Sequence, residues 1–493
     1  MITLHPEDNT PLYEQLYRAL ADGIQSGEFA PGKPLPGRRS MAARLGVSVS
    51  TVDTAYQMLA AEGLAESRPR RGFFVQETGG LLRHRCPRSA APAPVPAARA
   101  PGPAFRYDLS TTGIDTALFP ARSWGRIQRD LLYNSPQLLQ RGEAQGDAEL
   151  RGAIADYLSV YRGVRCTPEQ VVVGAGIEYL LGCLAHLFAG GTVAVENPGY
   201  SRARAVLQNS GIPCIPADID RSGLTVGSLA KSGANICYIT PSHHFPTGVT
   251  MPAPRRAQLL AWAREAPGRY ILEDDYDSEF RFDIRPLPSL QGMAGPDGPV
   301  VYLTTFSKSL APGIRIACMV LPGPLLARYR RDFALYSNTV SRFEQQTLSR
   351  FMTGGYFTRH LARMRLTYKK RMEHLTAALT GALGRGLSIQ GRHSGLHLLL
   401  TCPGAGGERQ MVARAAAEGV GLHGLSEYYL ARPELCPPDT VVAGYAALAD
   451  TDIDAAAAAL ARAWRGKPIT AAGPMPGGPP LCPAGSPPGY PCR

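Results

Sequence analysis

Five short runs rich in β-branched residues each end in turn formers: VVVGAG (171–176), GTVAVENPG (191–199), ICYITPS (236–242), YILEDDY (270–276) and VVYLTTFS (300–307). Stretches with apolar residues at helical spacing lie between and around them, among them AELRGAIADYLSVYR (148–162) and RRAQLLAWAREA (255–266). Strands that alternate with helices return to the same edge of a sheet, so they run parallel and are covered on both faces. The fold class that follows is α/β with a mainly parallel sheet. In such sheets ligands gather at the carboxyl ends of the strands. Each turn that closes one of the five runs is therefore a candidate binding position.

The 493-residue chain exceeds what one hydrophobic core usually supports, and its composition shifts three times. Residues 1–78 read as a small, mostly helical domain. Residues 79–105 are rich in Pro, Ala and Arg without apolar periodicity, which favours an extended spacer. Residues 106–466 carry the strand–helix alternation. Residues 467–493 (KPITAAGPMPGGPPLCPAGSPPGYPCR) are again rich in Pro and Gly and are expected to be a disordered tail.

Several classes fall away. No apolar run approaches the ~20 residues needed to cross a bilayer, and the first residues lack a basic stretch followed by an apolar one. A cytoplasmic protein without a membrane partner is expected. The ten cysteines are scattered, with no C-x-x-C pair and no histidine at zinc-ligand spacing, so free thiols and no metal site are expected. The formal net charge of +12 suits a polyanionic partner. Arg68, Arg70, Arg71, Arg83, Arg85 and Arg88 crowd one stretch, where phosphate contacts would be sought.

The segment LPGRRSMAARLGVSVSTVDTAYQMLAAEGLAESRPRRGFFV has a helix, tight turn, helix rhythm. Ser40 to Leu45 reads as the first helix and Gly46 as the turn. Ser48 caps a second helix to about Glu62, with Val52, Ala55, Tyr56 and Leu59 on its inner face. LAESRPRRGFFV then reads as two short strands around a basic turn. A helix presented in this way enters the major groove by its N-terminal end. Ser48, Ser50 and Thr51 are thus expected at base edges or phosphates, and Arg38, Arg39, Arg70 and Arg71 against the DNA backbone. Over nearly all of residues 11–76 the pattern resembles the GntR-type winged helix family. Val49 departs from it, standing where an Arg is common after the capping Ser.

TTFSKSLAPGIRIA places a lysine just after a strand, among hydroxyls, before a Pro-Gly turn and an arginine. That set suits an aldehyde cofactor bearing a phosphate. The Lys308 amine would form a Schiff base, Thr305 and Ser307 would bind phosphate, and Arg315 would neutralise it. ILEDDYDSEF adds Asp274 and Tyr276, a carboxylate for a pyridine nitrogen and a phenol for a ring hydroxyl. VVVGAGIEYL ends in Gly-Ala-Gly before a helix and offers the amides of Ala175, Gly176 and Ile177 to a phosphate. VENPGYSRAR supplies Tyr200, suited to stacking on a ring, and Arg202, suited to an anionic effector. The adjacent histidines of PSHHFPTG cannot share one face of an extended strand, which argues against a metal pair.

Together EDDYDSEFR, ENPGYSRAR, PSHHFPTG and TFSKSLAPGIRIA resemble fold-type I aminotransferases that carry pyridoxal 5'-phosphate (PLP). The order winged helix, linker, aminotransferase-like domain resembles the MocR subfamily of GntR regulators, over about residues 11–465. The resemblance implies a smaller α+β subdomain beside the main sheet and PLP on Lys308. It also implies head-to-tail homodimers, and operator DNA and a small-molecule effector as partners. Three positions depart from the aminotransferase pattern. Arg141 stands for a tyrosine that touches the partner's phosphate, and His244 for a glutamine. Val442, in VVAGYAAL, stands for the arginine that anchors a substrate's α-carboxylate, the nearest upstream arginine being Arg432. Loss of such a desolvated charge pair typically costs about 2–5 kcal/mol of binding. A ligand-sensing regulator without assigned catalytic residues, with residual half-transamination at most, is therefore the expectation. A working aminotransferase with an appended DNA reader is the alternative, and a dimerisation domain without cofactor fits less well.

Overall fold

The computed structural model describes residues 2–8, 10–77, 105–283 and 287–465, and the chain divides into two units, Met1–Pro103 and Ala104–Arg493. Apart from Phe105, the stretch expected as a linker (79–105) lies outside the described residues, as does the expected tail (467–493).

In the first unit, helices α1 (Leu12–Ser26), α2 (Arg38–Leu45) and α3 (Val49–Ala61) precede strands β1 (Ala65–Arg68) and β2 (Gly72–Val75). Leu16, Leu20, Met41, Val52, Ala55, Tyr56 and Leu59 are buried together and hold the helices on one core. α2 begins two residues earlier than the expected Ser40, because Pro36 and Gly37 are extended and Arg38 already carries helical hydrogen bonding; Arg38 and Arg39 thus lie in its first turn. Gly46 takes a left-handed φ of 67° between α2 and α3, where a side chain would be strained. Ser48 caps α3 by accepting from the Thr51 amide at 3.0 Å. β1 and β2 pair antiparallel, Ala65 opposite Val75 and Arg68 opposite Gly72, and form the expected basic hairpin.

The second unit opens with β3 (Tyr107–Asp108). Its main sheet is built from β4 (Val171–Gly174), β5 (Val193–Asn197), β6 (Cys214–Asp220), β7 (Gly223–Leu224), β8 (Ile236–Ile239), β9 (Tyr270–Asp275), β10 (Val300–Thr305) and β11 (Ala317–Val320). Their order across the sheet is β4-β11-β10-β9-β8-β5-β6-β7. β10, β9, β8, β5 and β6 pair in parallel; β11 runs antiparallel to both neighbours, and β7 to β6. Alternate residues enter opposite apolar layers. Val172, Leu303 and Met319 pack with the helix Ile177–Leu187, whereas Val171, Val173 and Cys318 pack with the helix Ala148–Arg162. Apolar residues on both faces explain why these strands read as continuous apolar runs.

A smaller antiparallel sheet has the order β12-β13-β16-β15, from β12 (Ser388–Gln390), β13 (His397–Thr401), β15 (His423–Gly424) and β16 (Thr440–Gly444). β14 (Val420–Gly421) pairs in parallel with β3 and so ties the start of the unit to this subdomain. Helices Tyr356–Leu383 and Ile453–Arg465 pack on its apolar face through Leu375, Leu379, Leu460 and Trp464. Among the described residues, no helix is long and apolar enough to cross a membrane.

Candidate functional site

The parallel register sets Leu303 beside Asp274, so the ends of β9 and β10 deliver Asp274, Tyr276, Thr305 and Lys308 to one place. β5, two strands from β9, delivers Tyr200 and Arg202 through the turn after Asn197. Because β11 runs antiparallel, its amino end lies at the same edge, and Arg315 precedes it there. Ile177, Tyr200, Arg202, Asp274, Tyr276, Thr305, Ser307, Lys308 and Arg315 line one cavity of about 340 Å³. That volume lies within the usual range for a small-molecule site.

The Lys308 amine donates to the carbonyls of Thr111 at 2.6 Å and Thr112 at 3.2 Å. Burial lowers its pKa to about 8; Asp277 opposes that shift and Arg202 adds to it. Asp274 is buried, and burial, with Asp275 and Asp277 nearby, pushes its carboxyl up to about 7 against the hydrogen bond from Tyr238. The Tyr238 phenol donates to Asp274 Oδ2, while Oδ1 has no partner among the described residues. A cationic N–H set against Oδ1 would satisfy it and favour the ionised form. Burial holds the Tyr276 phenol well above its ordinary range, so it keeps its proton. Its oxygen lies 3.1 Å from His243 Nδ1.

In the same cavity Thr305 Oγ1 and Ser307 Oγ are 2.8 Å apart. Arg315 has a left-handed φ of 56°, and its Nη2 donates to the Ala175 carbonyl at 3.2 Å and to Glu178 Oε2 at 3.0 Å. A Cβ on Gly176 would come within 2.5 Å of that Nη2, and Gly176 has φ +89°, so only glycine leaves room for this cradle. The amides differ from the expectation. The Ala175 N–H donates to Thr339 Oγ1 at 3.0 Å, and the Gly176 N–H to the Gly174 carbonyl at 2.8 Å. Both are thereby committed within the chain, since the turn at 174–176 folds back on itself before the helix starts. The Ile177 amide opens the helix, where the ladder supplies no partner.

Phe245 of PSHHFPTG also lines the cavity, and further lining residues come from sequence far from the motifs: Thr111 and Thr112, and from the subdomain His423, Glu427 and Tyr428. No local pattern marks them; only the fold of the subdomain over the strand ends brings them in.

In the first unit the hydroxyls of Ser50 and Thr51 lie 2.7 Å and 2.8 Å from Ser48 Oγ, at the exposed start of α3. Arg39 is exposed, whereas Arg38 pairs with Asp53 at 2.5 Å. Arg70 sits in the hairpin turn with φ 61°, and the Arg71 guanidinium lies 5.9 Å from the Phe74 ring centroid.

Comparison with known proteins matches residues 12–75 to the bacterial regulatory proteins of the gntR family and residues 115–460 to the class I and II aminotransferases. The uncharacterized HTH-type transcriptional regulator YdeL of Bacillus subtilis is 36% identical over 458 residues, covering 92% of this chain and 97% of that one. The probable rhizopine catabolism regulatory protein MocR of Rhizobium meliloti is 31% identical over 473 residues, covering 91% and 92%. The chain belongs to the MocR subfamily of GntR-type regulators. The HTH-type pyridoxine biosynthesis transcriptional regulator PdxR of Corynebacterium glutamicum is 32% identical over 439 residues, covering 87% of this MocR-type chain and 91% of PdxR. Among solved structures, a Pyrococcus horikoshii kynurenine aminotransferase shares the fold of the second unit. Its TM-score is 0.65 at 24% identity, over 74% of this chain and 91% of that one. This MocR-type chain is thus a DNA-binding transcription regulator with an aminotransferase-like domain.

The three departures take concrete form in this MocR-type regulator. Val442 pairs with Leu399 across the small sheet. Its neighbours Val441 and Ala443 face the subdomain core, while Val442 packs with Leu399, Phe245, Leu425 and Tyr428. It is fully buried behind Phe245 and Tyr428, which line the cavity, so an apolar wall stands where the aminotransferase pattern has an arginine. Arg432 is engaged by Asp218, and Arg202 is an exposed guanidinium of the cavity lining, which also holds His423 and Glu427, 3.2 Å apart. Arg141 Nη2 donates to the carbonyls of Leu335 at 2.8 Å and Tyr336 at 3.1 Å. His244 donates or accepts at Thr247 Oγ1 (2.7 Å) and is pushed down to about 3 by burial, so it is neutral. His243 turns instead toward Asp277, and the two adjacent histidines diverge.

Proposed function

We propose that this regulator holds PLP on Lys308 and that occupation of the same cavity by a small-molecule effector changes how it binds operator DNA. One observation carries the reading: Lys308, the unpartnered Oδ1 of Asp274, Tyr276 and the Arg315 cradle converge on a single cavity in a chain that also bears a winged helix. When bound, PLP supplies an electrophilic carbonyl carbon and an electron-withdrawing ring. Lys308, with its depressed pKa, offers a neutral amine as nucleophile. Asp274 Oδ1 holds the proton on the ring nitrogen, and Tyr276 donates to the ring hydroxyl. Thr305, Ser307, Arg315 and the Ile177 amide bind the phosphate, and Tyr200 stacks on the ring.

The apolar wall at Val442 removes the usual clamp for an α-carboxylate, which supports sensing over turnover. The effector is PLP itself or an amine other than a standard α-amino acid, with Arg202 available to an anionic group. In the reader, Arg38, Arg39, Arg70 and Arg71 contact DNA phosphates, and Ser48, Ser50 and Thr51 face the groove. A head-to-tail homodimer is supported by the exposed apolar side chains Leu335 and Tyr336, whose carbonyls accept from Arg141, and by the exposed Leu132, Tyr133 and Leu139. Ligand at Lys308 then favours one arrangement of domains, and operator affinity follows by linkage. A spectral titration of purified protein with PLP, amines and amino acids, with operator binding followed in parallel, tests the reading. A protein that takes up no PLP, or whose operator affinity ignores every ligand that changes its spectrum, overturns it.

A further inference from the structure

PSHHFPTG contains a buried group that the proposed function leaves unused. The His243 imidazole is 1% exposed and Asp277 is 2% exposed. Its Nδ1 lies 2.8 Å from Asp277 Oδ2 and 3.1 Å from Tyr276 Oη. The ring fits in a slot that the backbone keeps open. A Cβ on Gly395 would overlap the imidazole, and one on Gly248 would stand 3.4 Å from Nε2. The ring of His397, with its centroid 4.6 Å away, closes a third side.

Two lone pairs facing each other at 2.8 Å would repel, so the shorter contact requires a proton between them, and the imidazole, as a class the stronger base, carries it on Nδ1 and donates it to the Asp277 carboxylate. A protonated Nδ1 has no lone pair left to accept from a phenol. The geometry points to His243 as a positioning residue that denies Tyr276 an acceptor on this side and so aims its O–H into the cavity. At 3.1 Å the tyrosine oxygen accepts a share of the Nδ1–H, and its own proton is left for whatever oxygen binds in front of it. Without this arrangement the phenol would be free to donate toward Asp277 instead. His397 keeps a separate commitment, its Nε2 lying 2.9 Å from the Pro246 carbonyl, which accepts from it. Further titratable groups around the pair are Asp274 and Asp275 at the end of β9, Glu196 on β5, His244 on the same loop, Arg281 after β9, Lys308 after β10 and Tyr445 after β16. The inference rests on the proposed role of Tyr276 toward the PLP ring hydroxyl.

The test uses the full-length, PLP-loaded protein and reads the pH midpoint of its visible colour change. A donor to the ring oxygen favours the deprotonated form of the coloured group, so losing the donor raises the midpoint. Y276F is expected to raise it by about one to two pH units, the size of one hydrogen bond to an anionic oxygen. H243L, similar in size without a donor, is expected to move the midpoint the same way, and H243L/Y276F no further than Y276F alone. H243N, whose amide replaces the Nδ1–H, is expected to restore the wild-type midpoint. A Y276F midpoint equal to wild type overturns the role given to Tyr276 and this inference with it. A shifted Y276F beside an unshifted H243L, or additive shifts in the double variant, overturns the inference alone. Should H243L not fold, nitrogen NMR of histidine-labelled wild-type protein, with the His243 signal identified by its loss in H243N, decides. A proton on Nδ1 supports the inference, and a neutral ring protonated only on Nε2 overturns it.

Discussion

The Tyr238 phenol donates to one carboxylate oxygen of Asp274, a residue of the cavity lining, and the other oxygen has no partner among the described residues. A neutral amide at position 274 keeps the shape but loses the charge. Asp274→Asn is expected to weaken PLP binding about 10- to 100-fold, the usual worth of a charge-assisted hydrogen bond. Tyr238→Phe should weaken it less, because Oδ1 stays in place. Equilibrium titration followed by absorbance checks both, and equal affinity for wild type and Asp274→Asn would remove Asp274 from the ring-nitrogen position.

Lys308 carries the covalent bond in this reading, so Lys308→Ala should lack the visible band of the PLP-loaded protein. The pH dependence has a defined sign. Only the neutral amine attacks a carbonyl carbon, and burial lowers the Lys308 pKa to about 8. Roughly a tenth of the amine is then neutral at pH 7, against well under a thousandth for an ordinary lysine. The rate of PLP capture should climb with pH and level off just above pH 8. A rate still rising tenfold per unit beyond pH 9 would contradict the depressed value.

The two arginines at the start of α2 should not contribute equally to DNA binding. Arg38 already pairs with Asp53, while Arg39 is exposed. Arg39→Ala is expected to weaken binding to all sequences and to lower the salt slope by about one, with a smaller effect for Arg38→Ala. Fluorescence anisotropy at several salt concentrations measures this. An Arg39→Ala protein with the wild-type salt slope would exclude the phosphate contact.

Ser48 and Ser50 separate stability from recognition. Ser48→Ala removes the cap hydrogen bond to the Thr51 amide and should destabilise the reader by about 1 kcal/mol. Ser50→Ala should leave its thermal midpoint nearly unchanged and alter base preference instead. Thermal melts and a selection from random DNA check the pair; the reverse pattern would mean that α3 meets DNA by another face.

Arg202 provides the test of effector class. Arg202→Ala should leave a response to PLP largely intact and weaken any response to an anionic amine at least tenfold. Standard α-amino acids, facing the apolar side chains of Phe245 and Tyr428 with Val442 behind them, should change the spectrum poorly and support no sustained turnover with a keto acid. Multiple-turnover transamination at an ordinary enzymatic rate would show that the clamp is dispensable.

The residues that meet at the strand ends were legible because each motif carries its own punctuation. Lys308, Asp274, Tyr276 and Arg315 stand beside turns that close apolar runs, and the parallel sheet does the rest. Tyr238 was not legible as a partner of Asp274, since a tyrosine inside ICYITPS reads as one more strand residue until β8 and β9 are known to be neighbours. Ala175 and Gly176 looked like phosphate donors because sequence shows a glycine turn before a helix but not the Thr339 hydroxyl that takes the first amide. Thr111, Tyr428 and Glu427 belong to segments brought in by long-range packing, which leaves no local periodicity. The order of the sheet was equally hidden, for nothing near β4 announces that its neighbour is β11.

The cavity lining extends in sequence from Thr111 to Tyr428. No shorter fragment holds the two carbonyls that accept from the Lys308 amine together with Tyr428 of the same lining. A binding site spread so widely along the chain cannot exist before nearly all of the second unit has folded. Every kilocalorie of ligand affinity is therefore felt by the whole unit, raising its resistance to heat and proteases together. Under the proposed function, the abundance of the regulator in a cell, as well as its grip on DNA, would become a function of ligand supply.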